Sequence, residues 1–159
     1  MNKTTYLITD NCKFHLGDCA DAWQSWFDDS AWANVTLPHD WSVTQPFSRE
    51  YSSGTGYLAG GIGWYRIRIT PHEDWKGKKI SLVFDGIYKN SKIWCNNYYL
   101  AGRPNGYLPS FCDISDQISF DQDIVISVQV DHRDIADSRW FTGSGIVRKV
   151  QLVVEESVH

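Results

Sequence analysis

Two short stretches bring together residue types that suit the recognition of polyhydroxylated ligands. The first is Pro38-His39-Asp40-Trp41, directly after Val35-Thr36-Leu37. A carboxylate can accept hydrogen bonds from two neighbouring hydroxyls, and an indole offers a flat apolar face to the C–H side of a sugar ring. An Asp capping a turn beside a core Trp satisfies the same local pattern. The second stretch carries Asp134, Asp137, Ser138, Arg139 and Trp140 ahead of Gly143-Ser144-Gly145. A carboxylate, a guanidinium and an indole are crowded there, against the alternative of a solvated Arg–Asp pair worth under about 1 kcal/mol. Either stretch alone is ambiguous. The same chemistry at two places tips the reading towards binding.

Catalysis is harder to find. A glycosidase needs two carboxyl groups about 5–5.5 Å apart for retention, or about 6.5–9.5 Å apart for inversion. No spacing among the 19 acids marks such a pair, and the five His show neither a metalloprotease pattern nor a triad with a nucleophile elbow. The glycines at 54, 56, 60, 61 and 63 are not a phosphate cradle, because a strand-like run, Trp64 to Ile69, follows where a helix N-terminus is required. Cys12, Cys19, Cys95 and Cys112 match no zinc or redox spacing. Cys95 reads as a buried small hydrophobe, and Cys12 and Cys19 as free thiols rather than a pair. No catalytic residue, metal or cofactor is expected.

The elements that must position these stretches are strands. Ile124, Ile126, Val128 and Val130 alternate with Val125, Ser127, Gln129 and Asp131, a half-buried pattern. Ile80-Leu82-Phe84, Tyr65-Ile67-Ile69 and Val150-Leu152-Val154 repeat it, with Arg66, Arg68 and Thr70 on the outer side of their strand. Asn96-Asn97 reads as a two-residue hairpin turn, since Asn tolerates positive φ. Helical signals are short: Ala22 to Asp28, His72 to Trp75 after Pro71, and a capped turn at Asp113 to Asp116. About eight antiparallel strands predict an all-β fold, a sandwich or jelly roll in one domain. Two irregular segments interrupt it, from about Pro38 to Gly63 and from about Asp131 to Gly145, and long loops of this kind are often functional.

Composition narrows the partners. With 159 residues, 42% hydrophobic and 21% charged, the chain reads as a soluble globular domain with a sizeable core. A net charge of -4 argues against a general binder of nucleic acid or anionic membrane. No run approaches the ~18 apolar residues of a membrane span. Met1 to Thr5 leads into no signal-like apolar run, which leaves the bacterial periplasm and cytoplasm both open. Eight Trp, eight Tyr and seven Phe exceed what a sugar site needs, so most are expected in the core.

Read together, the motifs resemble those of glycoside hydrolase family 2. Phe14-His15-Leu16-Gly17-Asp18 is similar to the opening strand of its N-terminal domain, and Leu37-Pro38-His39-Asp40-Trp41 to its LPHDW entry. Gly60 to Arg66 resembles GGxGWYR, and Phe84 to Asn96 the FDGVYxNSxVWxNG block, with Asn97 where the family often has Gly. Ser138-Arg139-Trp140 with Gly143 to Arg148 matches SRWxxGSGIxR. The resemblance spans about residues 13–154 in the expected order. It implies a sugar-binding jelly-roll domain over 13–155, after a lead-in at 1–12 and before a stub at 156–159 where an immunoglobulin-like domain would begin. A TIM barrel holding both catalytic glutamates would follow, performing retaining hydrolysis of a galactoside, glucuronide or mannoside. The expected partners are thus a carbohydrate, β-galactoside-like, and the other domains of a parent enzyme. The matching positions make Asp40 the leading hydroxyl contact, with Trp41, Asp137, Arg139 and Trp140 as further substrate-binding candidates. A free-standing carbohydrate-binding module is the alternative.

Overall fold

The computed structural model describes residues 3–41, 61–88, 91–103, 110–132 and 145–156. Twelve strands lie among them. They are β1 (Lys3–Ile8), β2 (Cys12–Leu16), β3 (Ala33–Val35), β4 (Gly61–Ile69), β5 (Lys79–Phe84), β6 (Ile87–Tyr88), β7 (Ser91–Cys95), β8 (Tyr98–Arg103), β9 (Ser110–Asp113), β10 (Ile124–His132), β11 (Gly145–Ile146) and β12 (Val150–Glu155). A four-stranded sheet runs β1-β12-β5-β9 and a six-stranded sheet runs β3-β2-β4-β10-β7-β8, each pairing antiparallel. A short β11-β6 ribbon completes the set. The chain is an all-β jelly-roll sandwich.

The core forms where the period-two patterns meet. Ile80, Leu82 and Phe84 of β5 and Val150, Leu152 and Val154 of β12 face Tyr65, Ile67 and Ile69 of β4 and Ile124, Ile126, Val128 and Val130 of β10. Strands beyond the expected eight are short or carry no inward alternation. β6 and β11 have two residues each, β3 has three, and β1 is exposed along almost its whole length. β1 occupies the stretch expected as a lead-in and pairs along β12 from Lys3↔Glu155 to Ile8↔Val150. A pattern-based reading sees an edge strand poorly, because neither of its faces is buried.

The turns behave as their residues dictate. Asn96 and Asn97 take φ of 47° and 78°, and Cys95↔Tyr98 closes the hairpin. Asn side chains serve further here: Asn96 Nδ2 donates to the Gln117 carbonyl at 2.7 Å and its Oδ1 accepts from Val125 N–H at 2.9 Å. Single 3-10 turns occupy Glu73–Trp75 and Ser115–Gln117, the second with Asp113 Oδ1 accepting from Ser115 N–H at 2.9 Å. All four cysteines are free thiols.

One expectation changes. Arg66 and Arg68 sit on the outer side of β4 as the alternation predicts, but Arg66 is fully buried. The segment from Cys19 to Trp32 folds over that face in successive turns, and Arg66 holds it there. Its Nε donates to Asp29 at 2.8 Å, Nη1 to the carbonyls of Ala22 and Gln24 and to Ser127 Oγ, and Nη2 to the carbonyls of Ser25 and Phe27. The guanidinium therefore donates to four loop carbonyls packed against the sheet, of which that of Gln24 also accepts from Phe27 N–H at 3.1 Å. Arg68 Nη1 adds a 2.9 Å bond to Asp29.

Candidate functional site

The Pro38-to-Trp41 stretch is held by backbone first. Leu37 is buried and its N–H donates to the Thr9 carbonyl at 2.9 Å, while His39 N–H donates to the Ile146 carbonyl at 2.7 Å. The latter bond ties the stretch to β11, which lies beside β6. Gly145 makes this approach possible. Its φ is +120°, and a Cβ there would overlap the Tyr65 hydroxyl and come within 3.0 Å of the His39 carbonyl oxygen. Gly63 plays the same part on β4, where a Cβ would sit 2.5 Å from Trp41 Cζ3.

An aromatic nest lies beneath. The Phe14 ring packs on His39 at 4.8 Å, Tyr65 at 4.9 Å and Trp41 at 5.6 Å between centroids. His39 Nδ1 lies 2.7 Å from the Tyr65 hydroxyl. Burial pushes the Tyr65 pKa far up, so the phenol keeps its proton. Burial also lowers the pKa of His39, and the neighbouring charge of Asp40 partly opposes that. The result is a neutral imidazole beside a half-buried carboxylate.

The structure separates the two members of the Asp-Trp pair. Asp40 is partly accessible, whereas Trp41 is 0% exposed and belongs to the core cluster. Trp41 therefore supports the stretch from below and presents no platform face. Asp137, Arg139 and Trp140 lie outside the described residues. The flanks of their segment, however, are described. His132 stands opposite Gly61 across the β10–β4 pairing, and Gly145 touches His39 and Trp41. The ends of both irregular segments, at residues 41, 61, 132 and 145, thus meet at one end of the sandwich. Sequence reasoning did not assign a role to His39 or Tyr65; the signal was the tyrosine in the inward register of β4, the strand that follows the His39 segment.

As chemistry, this end offers a hydrogen-bond acceptor in Asp40 beside a fixed neutral imidazole. Among the described residues no three His, Cys, Asp or Glu side chains cluster to hold a metal. No described helix is long and apolar enough to cross a membrane.

Comparison with known proteins gives a consistent picture. Residues 18–155 match the family model described as "Glycosyl hydrolases family 2, sugar binding domain". The chain is 40% identical over 149 residues to the beta-galactosidase BoGH2A of Bacteroides ovatus, covering 92% of this chain and 18% of that protein. It is 30% identical to a beta-galactosidase of Thermoanaerobacter pseudethanolicus, with 89% and 20% covered. Among solved structures, a beta-glycosidase from Bacteroides vulgatus superposes with a TM-score of 0.87 at 37% identity, over 97% of this chain and 20% of that one. A Bacteroides uniformis beta-glucuronidase does so with 0.81 at 31% identity, over 96% and 18%. The chain spans about a fifth of the length of these relatives.

Proposed function

This chain belongs to the sugar-binding domain family of glycosyl hydrolases family 2, and from that premise we propose that it is a non-catalytic domain of a retaining β-galactosidase-like enzyme. It packs on a catalytic barrel and lends its two irregular segments to the rim of the sugar pocket. Asp40 accepts hydrogen bonds from substrate hydroxyls, with Trp41 bracing it from the core. Asp137, Arg139 and Trp140 contribute from the second segment.

The observation that carries this reading is the meeting of both segments' ends beside Asp40, since residues from two loops reach one substrate only if they leave the scaffold at the same place. The beta-galactosidase relatives support the galactoside. The domain itself should be inactive, because hydrolysis needs a carboxyl pair supplied elsewhere in the enzyme. In the full-length enzyme, Asp40→Ala should lower kcat/KM on aryl β-galactosides about tenfold or more, the loss of roughly 1.4 kcal/mol of transition-state binding. An unchanged kcat/KM would remove Asp40 from the pocket. A parent enzyme that prefers glucuronides would replace the galactoside while leaving the rim role in place.

A further inference from the structure

The outer face of the four-stranded sheet is a concave groove of about 640 Å³, a volume in the range of small-ligand sites. Strand register lays its floor out in three rows. Gln151, Val83 and Phe111 stand side by side across β12, β5 and β9. Thr5, Val153, Ser81 and Asp113 form the next row, and Lys3, Glu155 and Lys79 the third. These residues alternate with the inward-facing core positions of the same strands, so all of them point away from the sandwich interior.

The lining has two features that together select an occupant. The first is its mixture. Phe111 is 69% exposed at one end of a row whose floor includes Val83 and, one row on, Val153, both under 10% exposed, while Gln151, Ser81 and Thr5 place amide and hydroxyl groups between them. A ring beside hydroxyl-bonding groups on a concave floor matches the amphipathic faces of a pyranose. The second feature is charge. Lys3, Glu155 and Lys79 alternate in sign within one row, and Asp85 at the opposite end is bridged by Lys149 at 3.7 Å. The lining itself carries Lys3 and Lys79 against Asp85, Asp113 and Glu155; Lys149, outside it, pairs with Asp85, and Asp113 Oδ1 already accepts from Ser115. An anionic ligand meets no surplus of positive charge there, whereas a neutral one brings no charge to be compensated.

We propose that this groove is a second binding site, for a neutral oligosaccharide laid across the strands of the outer sheet. It is distinct from the rim at Asp40 and holds the chain of a longer carbohydrate rather than its reacting end. Its residues lie on regular strands, so the site is pre-formed in the isolated chain.

The test is an amide NMR and calorimetric titration of the 159-residue chain with three neutral probes: β-1,4-linked glucohexaose, mannohexaose and galactotetraose. Tetragalacturonate serves as the anionic counterpart. At least one neutral probe should shift the amides of Val83, Phe111, Gln151 and Val153. Phe111→Ala and Gln151→Ala should each weaken that binding about tenfold with unchanged spectral dispersion; both side chains have solvent contact, so either can be removed without opening the core. Four results would each overturn the proposal. One is silence with all three neutral probes, and another is shifts confined to residues 38–41 and 145–147, which would support the rim alone. The third is equal or tighter binding of tetragalacturonate. The last is a concentration-dependent dimer in sedimentation that Phe111→Ala dissociates, which would make a second copy the occupant.

Discussion

At the scale of single residues, His39 shows how burial, against a neighbouring carboxylate, sets a protonation state. Burial lowers its pKa from the ordinary 6.5, with Asp40 pulling in the other direction. The unfolded chain therefore binds the proton more readily than the folded one. Above pH 6.5 the contribution of the neutral imidazole is complete, and it is lost as pH falls from there through the lowered pKa. Urea midpoints measured at about pH 7.5 and about pH 5.5 should show wild type losing stability on acidification, and His39→Gln should flatten part of that slope. An identical slope in the variant would mean that His39 titrates as it does in the unfolded chain. Asp29 acts lower on the scale: burial raises its pKa, but the hydrogen bonds and charges of Arg68 and Arg66 outweigh this and hold it below 3.8. Its contribution is present above that value and lost as pH falls through the lowered one.

At the scale of elements, the turn-rich segment from Cys19 to Trp32 is held to the sheet chiefly through Arg66, with Arg68 on Asp29 and Asn97 on Ser25 adding to it. Arg66 makes six hydrogen bonds, four of them to carbonyls of that segment. Lysine carries the charge but not the planar fork. Arg66→Lys should therefore cost about 3–5 kcal/mol in urea unfolding and speed amide exchange across residues 19–32. Arg66→Met combined with Asp29→Leu should not recover the loss. Removing both charges relieves the ion pair, yet the carbonyls of Ala22, Ser25 and Phe27 lose the donor that Arg66 supplied. Full recovery in the double variant would show that Asp29, not the backbone, is what Arg66 is there to satisfy.

At the scale of the whole molecule, the two sheets close over a core that hides three of the four thiols. Cys12 and Cys95 are buried, and desolvation pushes both thiols up to about 12, while Cys112 is 4% exposed. Cys19 is the partly accessible one. Native protein treated with iodoacetamide at about pH 8 should gain one adduct by mass spectrometry, at Cys19, and all four thiols should react in urea. Rapid labelling of Cys12 or Cys95 without denaturant would mean the sandwich opens far more often than a packed core permits.

Much of this was legible in the chain. Alternation marked the inner faces of β4, β5, β10 and β12, the Asn96-Asn97 pair marked a positive-φ turn, and ordered motifs marked the family. These are properties of neighbours in sequence, and period and turn chemistry are local. What covers a face is not local. The outward side of β4 looked open, and only the tertiary fold brought Asp29 to Arg66 across 37 residues. The local pattern of Trp41 suits a core ring as well as a ligand platform and leans to the former; Phe14, Gly63 and Gly145 close around it. β1 gained its place solely by pairing with β12, from Lys3↔Glu155 to Ile8↔Val150, because a strand exposed on both faces leaves no period to read. Alternation names the side on which a residue stands; which surface is opposite is decided by contacts that close only when the whole chain has folded.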